Sequence, residues 1–504
     1  MKWKIWFVFG LCLATLGFAM PSTYVPDMGV DFEIAKKANE FLIKYSTHDF
    51  TIKDYGPKPA FSSNTITEGE EEPWLEIDWN GIVVSESFFD DDTDLHAEYG
   101  AKVYILPGDG DSEMLNTPVV IADAFDPLWG RGPNDLLNDE KMSLLFSNLG
   151  GVDNPRQRGY DIIFVDFYQG GGNLFINAAI LTKVMHHLDY NYKKSYLTAG
   201  YSMGGLLTRI ALLFGEKENN LHNVDVLRRV KGYLSIDAPH QGADIPTDLG
   251  KLLQIYIDNE TNFKEDFGQK VGLISGELDV LSQKNYYKIN SLAAAQMMYS
   301  KYYRDLGKGS DEVHNSFLQR LEKMGGYPDR ILKLSIAHSN WMYPHEGIEH
   351  NGRVAWTKSD RNIYPSDRDR MAGSVSDTFW DFLKHSAKDF SLHKYGNDRY
   401  KGTFVPILSA LDMNVEENFN LDENPTQEWA RQNSPFDEVW WMKRKYNCYN
   451  NFPKIDGCVE STYRERFQHG LFDQEIVSMI TNGLQWLDAQ YVNRELVEKV
   501  PILF

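Results

Sequence analysis

Cysteine is scarce in this chain, with 3 among 504 residues. That rules out a fold stapled by a disulfide framework and leaves too few thiols for a zinc cluster. Basic charge is also short. Lys and Arg number 51 against 72 Asp and Glu, for a formal charge of -21. Nucleic acid and anionic bilayers both need a basic footprint, so neither is expected as a main partner. Long apolar runs are missing beyond the first 20 residues, internal repeats are absent, and there is no long low-complexity tract. What remains is a chain with 42% apolar and 13% aromatic residues. Such a composition builds a sizeable core.

The N-terminus reads as an export signal. Lys2 and Lys4 precede "IWFVFGLCLATLGFA", which closes on Ala19. An apolar stretch of about 15 residues is short of the roughly 20 that span a bilayer. A basic start, a short apolar centre and a small residue at the cut describe a cleaved secretory signal, residues 1–19. The expected location is therefore secreted or periplasmic, with no stable membrane span after cleavage. Cys12 leaves with the signal. Cys448 and Cys458 remain, bracketing "YNNFPKIDG", and in an exported protein such a pair is expected to form a disulfide.

Residues 20–95 read as an N-terminal extension with weak helix and strand signals, including the acidic stretch "TEGEEEPW". From 96 onward, β-rich runs alternate with helical patterns. "AKVYILPG", "TPVVIADAF", "YDIIFVDFY", "SYLTAG", "VKGYLSIDAP" and "RILKLSIAHS" are separated by segments such as "NLFINAAILTKVMHHL". That alternation predicts a mostly parallel sheet with helices on both faces. Residues 96–250 form the first part of the core and 326–504 the second, with a further insertion near 341–400. Between them, 251–325 is expected to be a helical, amphipathic insertion that caps the strand ends. Its pattern is clearest in "SLAAAQMMYSKYYRDL".

One stretch carries chemistry. In "YLTAGYSMGGLLTRIAL", Ser202 stands between Gly200 and Gly204, after a β-like run and before an apolar helix. A serine hydroxyl is a weak nucleophile until a base takes its proton and donors stabilise the oxyanion. A tight strand-to-helix turn lifts the hydroxyl to the sheet edge and aims the first helical N–H groups at developing negative charge. The alternative is a small-residue junction where a helix packs closely on a sheet.

With "PVVIADAFDP", "YDIIFVDFYQGGG", "GYSMGG" and "SIDAPHQGA" in view, the segment from about 115 to 245 resembles the α/β-hydrolase superfamily, on its lipase and esterase branch. Within that branch it is similar to bacterial lipases and GPI-inositol-deacylase-like hydrolases. "FVPILSAL" resembles a segment that precedes the catalytic histidine. The resemblance implies an α/β-hydrolase fold and a carboxylic ester substrate, of small-molecule, lipid or carbohydrate origin. Ser202 is then the nucleophile, and the backbone N–H of Met203 is one oxyanion donor. The second donor comes from the loop after an early strand. Here it reads Asp123-Ala124-Phe125 instead of the family's His-Gly-x, which makes Phe125 the donor. No cofactor is implied.

Chain order for this fold runs serine, acid, histidine. His469 is the last of 13 histidines and precedes an amphipathic helix, so it is the expected base. His240 is read as structural. His338, His345 and His350 match no metal-ligand spacing, so no metal is expected. Two acids stand as alternatives, Asp237 in "SIDAPH" and Asp412 after "FVPILSAL", with Asp398 and Asp437 behind them. Acyl transfer to an alcohol is an alternative chemistry. A non-catalytic binding protein on the same scaffold is the rival from another class.

Overall fold

The computed structural model describes residues 32–40, 50–60, 71–79, 99–109, 115–125, 143–146, 153–222, 227–243, 291–298, 301–303, 306, 308–337, 355–357, 362–363, 390–392, 405, 407–414, 427–441, 472 and 474–499. His469, Cys448, Cys458 and Asp398 lie outside them, as do the N-terminal signal, most of the insertion at 251–325 and the three histidines at 338, 345 and 350.

The principal sheet has nine strands. They are β1 (Phe50–Asp54), β2 (Leu75–Trp79), β3 (Gly100–Leu106), β4 (Pro118–Ala122), β5 (Asp161–Phe167), β6 (Tyr196–Tyr201), β7 (Val230–Ile236), β10 (Leu332–Ala337) and β14 (Glu438–Trp441). A hairpin of β8 (Lys301–Tyr303) with β9 (Lys308–Ser310) stands apart. So does a small sheet of β11 (Ala355–Thr357), β12 (Asn362–Ile363) and β13 (Phe390–Leu392). The principal order is β1-β2-β3-β5-β4-β6-β7-β10-β14. From β5 to β14 every pairing is parallel, whereas β1 to β3 run antiparallel to their neighbours.

Parallel strands are covered on both faces, so they read as unbroken apolar runs. All seven residues of β5 are buried. Alternate side chains then serve two cores. Ile163, Val165 and Phe167 pack toward α2 (Leu174–His187) and α3 (Met203–His222), within one apolar cluster. Ile162 and Phe164 face the other, which holds Ile476, Ile480 and Leu484 of α6 (Gln474–Lys499). This mostly parallel sheet with helices on both faces is the α/β-hydrolase fold.

Two strands come from the segment read as an N-terminal extension, since β1 and β2 extend the sheet at one edge. Asp54, at the end of β1, accepts from Tyr192 Oη at 2.8 Å and lies 2.8 Å from His187 Nε2. α1 (Phe32–Glu40) instead joins the insertion. Phe32 meets Tyr303 edge-on at 5.3 Å, and Asn39 Nδ2 donates to the Val313 carbonyl at 2.6 Å.

The described end of the insertion differs from a single amphipathic helix. α4 (Leu292–Met297) stops at Met298, which is extended, and β8 and β9 follow before α5 (Glu312–Lys323). Adjacent Tyr302 and Tyr303 favour a pleated strand, and Gly307 and Gly309 disfavour continued helix. Both helices pack against the start of α2. Gln296 Oε1 accepts from Leu174 N at 2.9 Å, and the Phe317 and Phe175 rings lie 5.4 Å apart. That start follows the carboxyl end of β5, on the sheet edge where β6 delivers Ser202. Among the described residues no helix is long and apolar enough to cross a membrane.

Candidate active site

β6 ends at Tyr201 and α3 begins at Met203, so Ser202 is the single residue between strand and helix. Its φ is +53°, in the left-handed region that side chains with a Cβ seldom occupy. Such strain persists only where the surroundings over-determine it. Here Ser202 N donates to the Ile236 carbonyl at 2.9 Å, and Gly205 N donates to the Ser202 carbonyl at 3.0 Å.

The flanking glycines are needed for space. A Cβ on Gly200 would lie 2.1 Å from the Gly204 carbonyl oxygen. One on Gly204 would lie 2.2 Å from that of Ala122, at the end of β4. Helix, β6 and neighbouring β4 thus meet backbone to backbone, the close approach that a nucleophile elbow requires.

Met203 opens α3, where the first N–H groups have no acceptor within the helix. The loop after β4 approaches the same point through Ala122 and Asp123, whose carbonyl oxygen would lie 2.8 Å from a Cβ on Gly204. Asp123 is buried, and its Oδ1 accepts from Ala124 N at 2.7 Å. The Ala124 N–H is thereby engaged within its own loop, and Phe125, half-buried against the core, comes next.

Asp237 follows β7 and is fully buried, with φ of +48°. Its N–H donates to the Ile336 carbonyl at 2.7 Å, and the preceding carbonyl, of Ile236, holds Ser202 N. Tyr201 pairs with Ile236, so Ser202 and Asp237 follow adjacent strand ends at the same level.

Asp412 lies elsewhere. Its Oδ2 accepts from Tyr327 Oη at 2.6 Å and from Arg209 Nη1 at 3.2 Å. Burial pushes its carboxyl up, but the Arg209 charge, with hydrogen bonds from Tyr327 and Gln241, outweighs that and holds it below the usual carboxylate range. Arg209 is seven residues after Ser202 on α3, about 10 Å along the helix at 1.5 Å per residue. Asp437 accepts from Lys333 N at 2.7 Å and lies 3.6 Å from Lys333 Nζ, at the start of β10.

His240 is almost fully buried, its Nε2 2.7 Å from Ser235 Oγ and its Nδ1 3.4 Å from Arg209 Nη1. Burial first, and then Arg209, push its pKa down to about 3, so it is neutral at physiological pH. This Ser–His contact is sealed inside the protein and belongs to the fold. Arg209 and Tyr327 were not singled out from the sequence. The available signal was a lone cation inside the apolar run "LLTRIALL".

His469 falls in sequence between Trp441, the end of β14, and Gln474, the start of α6. Phe472, three residues on, is buried edge-on against Tyr201, the residue before Ser202, with ring centroids 4.9 Å apart. Three residues of chain reach at most about 11 Å. No group of three or more His, Cys, Asp or Glu arranged to hold a metal occurs among the described residues.

No protein-family model matches the chain, and no curated protein matches it significantly. Solved structures do. The mature form of the Bacillus licheniformis lipase BlEst2 is 14% identical, with a TM-score of 0.26 over 47% of this chain and 72% of that one. Est1E from Butyrivibrio proteoclasticus is 15% identical, with a TM-score of 0.19 over 28% of this chain. An α/β serine hydrolase homologue from Coxiella burnetii is 15% identical, with a TM-score of 0.18 over the same share. The chain spans 47% of Est1E and 58% of the Coxiella protein. The class is defined by the sheet order and the elbow, not by these low-scoring superpositions. The protein has the α/β-hydrolase fold.

Proposed function

We propose that this protein is an exported serine hydrolase that cleaves carboxylic esters through an acyl-serine intermediate. The observation that carries the reading is Ser202 at φ +53°, alone between strand and helix, with glycines at the two points where backbone meets backbone. In this scheme Ser202 Oγ attacks the ester carbonyl carbon while His469 takes its proton. The N–H groups of Met203 and Phe125 receive the oxyanion. On collapse the carbonyl reforms, the C–O bond to the alcohol breaks, and His469 returns the proton to the leaving oxygen. Water then repeats the sequence on the acyl-serine, releasing the acid. Asp237 holds the imidazole in the required tautomer. The contact of Phe472 with Tyr201 supports His469 as the base, because it brings the chain that follows His469 beside the elbow.

The Lys2–Ala19 pattern supports export, and the amphipathic sequence pattern of the insertion supports an apolar acyl group on the substrate. The test is covalent labelling of the full chain with a fluorophosphonate, followed by peptide mapping. A single adduct on Ser202, formed more slowly in the presence of excess p-nitrophenyl ester, is expected. An unlabelled Ser202 in folded protein would favour the non-catalytic reading.

Cys448 and Cys458 are proposed to be linked in the exported protein. Closing so short a loop contributes roughly 2–3 kcal/mol if unstrained. Non-reducing peptide mapping should show the pair. Alkylation of both thiols without reductant would contradict it.

A further inference from the structure

The geometry points to Asp412 as a positioning residue: with Arg209 it fixes the tautomer of His240, and His240 clamps the turn that carries Asp237. This inference rests on the hydrolase reading above and deepens it, because it removes Asp412 from the contest for the triad acid.

Arg209 is a cation within the buried stretch of α3, and its side chain is 7% exposed. A buried cation needs a counter-charge and acceptors for its donors. Asp412 Oδ2 supplies the charge at 3.2 Å, and the Gly326 carbonyl accepts from Arg209 Nε at 2.6 Å. The guanidinium also lies over the Tyr327 ring, 3.6 Å from its centroid. The nitrogen that meets Asp412, Nη1, also donates to Tyr327 Oη at 2.9 Å and lies 3.4 Å from His240 Nδ1.

The Ser235 hydroxyl gives its proton to the Ala410 carbonyl at 2.7 Å, so it only accepts from His240, and the guanidinium beside Nδ1 meets a lone pair there. The ring proton of a neutral imidazole is then on Nε2, which donates to Ser235 Oγ at 2.7 Å. Ser235 and His240 close the turn Ser235-Ile236-Asp237-Ala238-Pro239-His240, and Asp237 sits inside it at φ +48°. The same turn is pinned on its outer side. Gln241 Nε2 donates to the Met413 carbonyl at 2.9 Å, and Ser409 Oγ donates to the Gly242 carbonyl at 2.7 Å. Asp412 is the residue next to Met413, so its segment holds the turn through backbone and through charge at once.

An acid in the triad must keep a carboxylate oxygen for the base. Asp412 Oδ2 meets Tyr327 and Arg209, and the Gln241 side chain hydrogen-bonds the same carboxylate, about two helical turns from Ser202. Asp237 is one residue from the carbonyl that holds Ser202 N.

The test compares Asp412→Asn, Arg209→Met and the double variant in the full chain. Active sites are counted with a fluorophosphonate, and kcat and KM for p-nitrophenyl acetate are measured per titrated site. Each single variant should lower kcat by about 10- to 100-fold with KM changed less than about threefold, as displacement of a catalytic group does. The double variant should lose no more than either single one, since both remove the same clamp. It also leaves no buried charge unpaired, so it remains measurable if a single variant does not fold. An unchanged kcat per titrated site would overturn the inference, because the knot would then serve stability alone. A loss near 10⁴-fold in Asp412→Asn, with Arg209→Met close to wild type, would overturn it in favour of Asp412 as the acid. Absence of any fluorophosphonate adduct would overturn the hydrolase reading instead. In that event ¹⁵N NMR of His240 still decides the tautomer, with Nε2–H expected and Nδ1–H fatal to the clamp.

Discussion

Ser202→Ala should lower p-nitrophenyl ester turnover by about four to six orders of magnitude while changing stability by about 1 kcal/mol or less. The two halves of this expectation have separate causes. In the proposed mechanism the hydroxyl oxygen is the atom that bonds to the acyl carbon, so without it no acyl-enzyme forms. What remains is the rate that the oxyanion donors and substrate binding supply on their own. The fold, by contrast, is held at this point by backbone. Ser202 N to the Ile236 carbonyl and Gly205 N to the Ser202 carbonyl are both kept by alanine. Alanine also tolerates φ of +53° about as poorly as serine, so the strain is little altered. The measurements are steady-state turnover and thermal melting of both proteins. A variant keeping a tenth of wild-type activity would remove Ser202 from the mechanism.

The serine was legible in the sequence because its constraint is steric and local. Gly200 and Gly204 must be glycine, since backbone oxygens occupy the space a Cβ would need, and that requirement is written in adjacent positions. The sheet was legible for a similar reason: strands buried on both faces, such as "DIIFVDF", cannot carry an exposed polar side. The sheet's first edge was harder to read. β1 has the burial pattern of a half-exposed antiparallel strand, so "FTIKD" mixes charge with apolar residues and looks like extension. The hairpin within the insertion was hidden in the same way, because "YSKYY" has a residue pattern compatible with helix or strand until its partner is known. The role of Asp412 was out of reach for another reason. Its partners are 203 and 85 residues away in sequence, and no spacing rule links them.

The acid carries the second large effect. Asp237→Asn should lower kcat by about 10⁴-fold with the fold intact, since the amide is isosteric with the carboxylate but removes the charge that the imidazolium needs in the transition state. An asparagine can also donate, which invites the wrong tautomer of the base. Three features of the turn support Asp237. It is fully buried, so its charge acts through a medium of low dielectric. The following Ala238-Pro239 and the Ser235–His240 bond restrict its backbone. It also stands one residue from the carbonyl that fixes the nucleophile. Asp412 has a carboxylate engaged by a guanidinium and a phenol, and its loss should cost two orders of magnitude less. Turnover and melting of the two asparagine variants, measured side by side, separate these assignments. If Asp237→Asn stays within tenfold of wild type while remaining folded, Asp237 is not the acid. With Asp437 bound to the Lys333 backbone, Asp398 would then be the next residue to replace.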